Sequence, residues 1–156
     1  MPRLDRLPQV LRTTMLTFPA QVNDTTPFVP LKRPLSRCRV AIVTTAGLHR
    51  RGDRPFGPGD QTYRLFPSST PAAEILQSQT SIGFDRAPIM RDINISFPID
   101  RLRQLAERGE IGELAPYAYS FLGAQREFRR IEAETAPEAA RRLRDDGVDV
   151  ALITPT

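Results

Sequence analysis

The chain has 156 residues, 40% of them hydrophobic and 26% charged, with a single cysteine, a single histidine and a net charge of +4. This suits one globular domain with a core of useful size and excludes an internal disulfide, a multi-thiolate metal site and a histidine-rich metal centre. No apolar run is long enough to span a bilayer, and residues 1–10 carry three charges and two prolines instead of a signal-peptide core, so a cytoplasmic protein without a membrane partner is expected.

The positive charge is localised. Residues 1–39 hold seven Lys/Arg and two acids (+5), whereas residues 40–156 hold fifteen and sixteen (−1). Nucleic-acid binding needs a dense basic footprint on the fold itself, so no nucleic-acid partner is expected. Of the 22 basic residues 21 are arginine, which reflects genome composition better than function.

Residues 1–37 read as an extended, proline-rich basic arm, with prolines at 2, 8, 19, 27, 30 and 34 interrupting helical windows. Residues 38–156 read as an α/β domain, incomplete at its carboxyl end. Residues 40–45 (VAIVTT) have the composition of a strand buried on both faces. A long loop is expected over 46–61, a short strand over 63–66, and a helical turn from Thr70 and Pro71 through Gln77. The alternation of Ile93, Ile95 and Phe97 with Asn94 and Ser96 predicts a strand over 92–97. Pro98 then opens a helix with Ile99, Leu102, Leu105 and Ala106 on one face, ended by Gly109.

A second helix is signalled by Thr135 and Glu138 at capping-box spacing, Pro137 in the first turn and an apolar stripe of Ala139, Ala140 and Leu143. Gly147 stops it, and residues 148–154 (VDVALIT) form another buried-type strand. Helix, glycine and apolar strand make the closing half of an α/β crossover. The fold class is therefore α/β: a partial, mainly parallel sheet with covering helices, a Rossmann-like half, preceded by the arm. If the strands at 40–45 and 148–154 are parallel neighbours, their carboxyl ends share the sheet edge at which open α/β folds bind ligands. The loop after Thr45 and whatever follows Thr154 then face one crevice.

Each candidate group has two readings. Cys38 precedes a strand at its amino end, opposite that edge, and reads as structural, although Arg37 and Arg39 would favour a redox thiolate. His49 is either an acid, base or substrate ligand at the edge, or a bystander in a polar loop. Residues 57–60 (GPGD) form a turn or a phosphate cradle, although no strand–loop–helix phosphate motif surrounds them. Tyr117, Tyr119, Ser120, Phe121 and Gly123 either pack in the core or line the crevice. Arg141, Arg142 and Arg144 form a solvated helix face, and the Arg51-Gly52-Asp53 tripeptide is a coincidence. No catalytic triad or carboxylate pair follows from spacing.

Four segments, in order, resemble the B subunits of the D-proline and glycine/sarcosine/betaine reductases: residues 30–49 (PLKRPLSRCRVAIVTTAGLH), 60–67 (DQTYRLFP), 95–123 (ISFPIDRLRQLAERGEIGELAPYAYSFLG) and 135–156 (TAPEAARRLRDDGVDVALITPT). The stretch 78–87 (SQTSIGFDRA) departs from that family, which usually carries a histidine there. The resemblance implies a subunit of a selenol- or thiol-dependent reductase that cleaves the C–N bond of an amino acid or related amine. Its partners would be other reductase subunits and a dithiol electron donor. A pyruvoyl group on a partner subunit would form an iminium with the substrate amine.

A selenocysteine expected directly beyond Thr156 would attack the α-carbon, since a selenol, more acidic than a thiol, is ionised at neutral pH. On this account the chain holds no cofactor, no metal and no catalytic residue of its own, and the reading frame is cut at a recoded UGA codon. Thr45, Gly47, His49, Tyr119 and Thr154 are its expected substrate-binding residues. The alternatives are a non-catalytic α/β partner-binding subunit and a small-ligand-binding domain.

Overall fold

The computed structural model describes every residue except 1, 2, 18–21, 23, 27, 80 and 82–84. It forms two units, Met1–Pro30 and Leu31–Thr156, each considered by itself. The expected arm, and the 78–87 stretch, thus lie partly outside the described residues. Among these, no helix is long and apolar enough to cross a membrane.

The first unit is not wholly extended. Helix α1 occupies Gln9–Leu16, with Pro8 as its N-cap and the Thr17 amide closing on the Thr13 carbonyl. Pro8 and Pro19 are far enough apart to leave two helical turns between them. A proline just before the first turn costs nothing, because the amide it lacks has no partner at a helix start.

In the second unit the sheet is built around β1, Arg39–Thr44. On one side β1 pairs in parallel with β7, Val150–Thr154, through five register pairs from Val40–Val150 to Thr44–Thr154. On its other side it pairs in parallel with two shorter pieces, β5 (Glu113–Leu114) near its start and β6 (Tyr117–Phe121) near its end. Strand β3, Tyr63–Pro67, completes this sheet antiparallel to β6. A separate antiparallel pair joins β2 (Leu48–Arg50) to β4 (Ile75–Gln77). The expected mainly parallel α/β architecture, with the 40s and 150s strands as parallel neighbours, is the observed one.

Both faces of β1 are covered, which is why its sequence is continuously apolar. Val40 and Ile42 pack with Phe66, Phe97 and Ile111, and with Ile99 and Leu102 of α3 (Ile99–Glu107). Val43 lies on the opposite face with Tyr63, Tyr119 and Phe121, under Ala139 and Leu143 of α4 (Ala136–Asp145). Gly109 ends α3 with φ +70°, as its position predicts.

Four local expectations are corrected. The 46–61 segment is not all loop, because β2 forms within it. The turn after Pro71 is a single 3-10 turn at Ala72–Glu74 before β4. Residues 92–97 are not a strand: Ile93–Ile95 is a 3-10 turn. There the Asp92 carboxylate accepts from the Asn94 backbone and side chain, and Asn94 Oδ1 accepts from the Asp100 amide, so local polar bonds outcompete pairing. Ile95 is consequently 62% exposed.

Thr135 is not an N-cap. Its φ/ψ of −77°/−33° is helical, because a π-turn at Ile131–Thr135 runs into α4, and its hydroxyl donates to the Gln61 carbonyl instead. Short helix α2 (Ala87–Arg91) was not expected at all.

Ile42 is fully buried at the centre of the sheet. Ile42→Ala is expected to lower the unfolding free energy by about 2–5 kcal/mol, the usual range for deleting three buried carbons. Urea denaturation checks this; a loss below about 1 kcal/mol would mean β1 is not central.

Candidate functional site

The parallel pairing brings the carboxyl ends of β1 and β7 to one edge. There the Thr45 amide donates to the Thr154 carbonyl (3.1 Å), and the Thr156 amide donates to Thr45 Oγ1 (2.8 Å). The segment after β6 joins them: the Gly123 amide donates to the Thr45 carbonyl (2.7 Å), and the Gly47 amide to the Phe121 carbonyl (2.9 Å). Three chain segments thus meet within hydrogen-bonding distance.

Two glycines make this approach possible. Gly47 has φ +67°, and a Cβ there would lie 3.1 Å from Leu122 Cδ1 and 3.2 Å from the Gln79 amide nitrogen. A Cβ on Gly123 would strike the Thr156 carbonyl oxygen and lie 2.9 Å from that of Thr45. Gln79, 1% exposed, comes in from the end of β4, with its side-chain amide 3.5 Å from the Thr45 carbonyl. Its isolated position in a polar stretch gave no sequence signal of this role.

Beside this junction lies a cavity of about 390 Å³, walled by Gly59, Gln61 and residues 122–127. Its walls are tied together. Gln125 Nε2 donates to the carbonyls of Asp60 (2.9 Å) and Leu122 (3.2 Å), and the Arg130 amide donates to Gln61 Oε1 (3.0 Å). The GPGD segment is a turn, closed by the Asp60 amide on the Gly57 carbonyl (3.1 Å).

Burial by itself would raise the Asp60 pKa. Hydrogen bonds from the Thr62 side chain and amide, and the Arg64 ion pair at 2.9 Å, outweigh burial and hold it below the ordinary carboxylate range. Arg64 in turn lies 4.1 Å from the centre of the Phe56 ring.

Of the five expected substrate-binding residues, Thr45, Gly47 and Thr154 come together at this edge, and His49 and Tyr119 do not join them. His49 sits in β2, 4% exposed, with Nδ1 3.1 Å from the Arg50 carbonyl and Nε2 2.8 Å from Ser78 Oγ. A carbonyl only accepts, so Nδ1 donates there, while Nε2 shares a hydrogen bond with the Ser78 hydroxyl. The ring therefore ties β2 to the segment leaving β4.

Tyr119 is fully buried beneath α4, its centroid 5.9 Å from that of Tyr63. Desolvation, reinforced by Asp146, pushes its phenol up to about 12. Cys38 is also fully buried, its Sγ donating to the carbonyls of Pro34 (3.4 Å) and Arg33 (3.6 Å) at the amino end of β1. Among the described residues, no group of three or more His, Cys, Asp or Glu is placed to hold a metal ion.

A family model described as glycine/sarcosine/betaine reductase selenoprotein B matches residues 5–156. Among individual proteins, the D-proline reductase subunit gamma of Acetoanaerobium sticklandii is 37% identical over 128 residues, covering 81% of this chain and 52% of that protein. The sarcosine reductase complex component B subunit beta of Peptoclostridium acidaminophilum is 31% identical over 143 residues, covering 89% and 33%. The glycine reductase complex component B subunit gamma of Carboxydothermus hydrogenoformans is 28% identical over 148 residues, covering 92% and 33%. The chain thus spans about half the length of the first and a third of the other two. No solved structure matches it.

Two outcomes follow from the geometry. Gly123→Ala is expected to cost about 1–3 kcal/mol in urea denaturation, because the methyl meets backbone that cannot rotate away. Hydrogen exchange at the Thr45 and Thr156 amides should accelerate with it; unchanged exchange would show that the three segments do not depend on this close approach. For Asp60, a folded pKa below the unfolded value of about 3.9 means stabilisation present above that value and lost as pH falls through the folded one. The stability gap between the wild-type chain and Asp60→Asn should therefore be clear at pH 7 and shrink as pH falls below the unfolded value of about 3.9. A gap independent of pH would contradict this assignment.

Proposed function

We propose a role that proceeds from one premise: the chain belongs to the glycine/sarcosine/betaine reductase selenoprotein B family. In this reading it is a subunit of a multi-subunit reductase acting on an amino acid or related amine. The net reaction replaces a C–N bond by C–H and N–H while a dithiol is oxidised to a disulfide. The observation that carries the reading is the family match across residues 5–156. Relatives named as subunits of D-proline, sarcosine and glycine reductases support it.

The sheet edge supports the chemistry. A selenolate placed beside the end of β7 supplies the nucleophile for the α-carbon, and a pyruvoyl group on a partner subunit supplies the carbonyl that activates the amine. The chain's own part is to shape that edge. Thr45, Gly47 and Gly123 fix the backbone around Thr156, and the hydroxyls of Thr154 and Thr156 are buried without a partner among the described residues. Two unpaired hydroxyls fit an anionic group at this edge, because each can donate one hydrogen bond to it. Cys38 does not fit that role. It lies at the other end of β1, about 20 Å away by strand rise, buried with its Sγ on the Pro34 and Arg33 carbonyls.

One feature favours a second reading, a non-catalytic partner-binding subunit. Strand β7 leaves Leu152 and Ile153 exposed, an apolar strand surface of the kind that other chains pair with.

The 156-residue chain with dithiothreitol is expected to reduce none of D-proline, glycine, sarcosine or betaine. Expression through the native downstream sequence in a selenocysteine-inserting host, together with partner subunits, should produce that activity, with UGA as the codon after Thr156. A UAA or UAG codon there would sink the selenol account. Activity of the 156-residue chain that disappears in Cys38→Ser would overturn the placement of the chemistry. A continuous frame that assembles with partners but reduces nothing would leave the second reading.

A further inference from the structure

We propose that the cavity walled by Gly59, Gln61 and residues 122–127 holds the amino-acid substrate as its zwitterion, with the Arg126 guanidinium on the carboxylate and the Glu127 carboxylate on the ammonium. This rests on the reductase reading and assigns residues to its substrate.

Around the cavity the charged side chains of the supporting walls are already committed to one another: Asp60 to Arg64 at 2.9 Å, and Arg130 to Glu134 at 3.0 Å. Arg126 and Glu127 line the cavity and, among the described residues, make no ion pair or hydrogen bond. One free cation and one free anion on a single rim complement a small zwitterion. A simple anion or a simple amine would satisfy only half of the rim.

The cavity is also built rather than incidental. Its loop is fixed at both ends, by the Gly123 amide on the Thr45 carbonyl and by the buried Gln125 amide on the Asp60 and Leu122 carbonyls. Between those anchors Ala124 is held at φ +55°, the only positive φ at a described residue other than glycine. Side chains rarely adopt that conformation, and it persists where surrounding structure enforces it, often at binding sites. At about 390 Å³ the space lies within the range of small-molecule pockets. Gly123, which forms part of its wall, is also the residue packed against Thr45 and Thr156. The proposed subsite therefore opens beside the edge assigned to the chemistry.

The test is titration of the ¹⁵N-labelled 156-residue chain with D-proline, glycine and sarcosine, followed by NMR. Pyrrolidine, which lacks the carboxylate, and acetate, which lacks the amine, serve as single-charge probes. Amides of residues 123–127 are expected to shift with the amino acids, and each single-charge probe should bind about tenfold more weakly. Arg126→Gln should raise Kd about tenfold, the scale of one charge-assisted contact, with partial rescue by Arg126→Lys. Glu127→Gln should raise it severalfold. Both side chains are exposed, so the variants should keep the wild-type circular dichroism and urea midpoint.

Amino-acid binding that is indifferent to Arg126→Gln, or that shifts amides elsewhere, overturns the subsite. So does acetate binding as tightly as glycine, or no binding of any amino acid up to 50 mM. In each of those cases the reductase reading is decided separately by activity of the assembled enzyme. Full reductase activity with Arg126→Gln and an unchanged KM would remove the subsite while leaving that reading intact.

Discussion

The in-register parallel pairing of β1 with β7 is the constraint on which the rest of the second unit depends. Parallel neighbours cannot be joined by a tight turn, so the chain must cross over, and α4 is the return element that covers one sheet face on the way. Side chains of paired residues point to the same face, so Leu152 follows Ile42 toward the α3 side and Ile153 follows Val43 toward the α4 side. A slip of one residue would exchange those faces and turn each side chain into the wrong layer.

The register is locked at the amino end of the sheet. Asp149, immediately before β7, accepts from the Arg39 amide at 2.8 Å and from the Arg33 guanidinium, while its own amide donates to the Arg39 carbonyl at 3.0 Å. The amide bond from Arg39 and the Arg33 pair keep the Asp149 carboxyl below its ordinary range. Arg39 reaches onward to Glu113 at 2.9 Å and to the Asp146 carbonyl. Together with buried Cys38, these contacts close the amino edge with protein groups.

The carboxyl edge has a different character. Its contacts are mostly backbone to backbone, and they leave hydroxyls at Thr154 and Thr156, and charges at Arg126 and Glu127, without partners among the described residues. Buried hydroxyls without partners also occur at Ser68, Ser96 and Tyr119, but at the carboxyl edge two of them fall within three residues of one strand end. The placement of His49 and Tyr119 fits this division. One ties β2 to the β4 exit and the other fills the layer under α4, so both support the edge from behind.

The sequence by itself determined the elements whose signal is local. The apolar runs of β1 and β7, the stripe and stop of α3, and the helix–glycine–strand order ending in β7 follow from periodicity and chain stiffness, and together they imply a parallel crossover. The resemblance to the reductase B subunits was likewise legible in short segments. The three-dimensional structure decided the rest, because the winning partners are either distant in the chain or nearby polar groups that hydrophobic periodicity does not register. Thr135 has the right spacing for a cap, yet Gln61, 74 residues earlier, takes its hydroxyl. Residues 92–97 alternate like a strand, but Asp100 and Asn94 offer closer bonds than any neighbouring strand. His49 could be read as a ligand until Ser78 and the Arg50 carbonyl took both its nitrogens. Gln79 and Arg126 acquire meaning only where three strand ends converge, since no local pattern distinguishes a polar residue beside a cavity from one facing water.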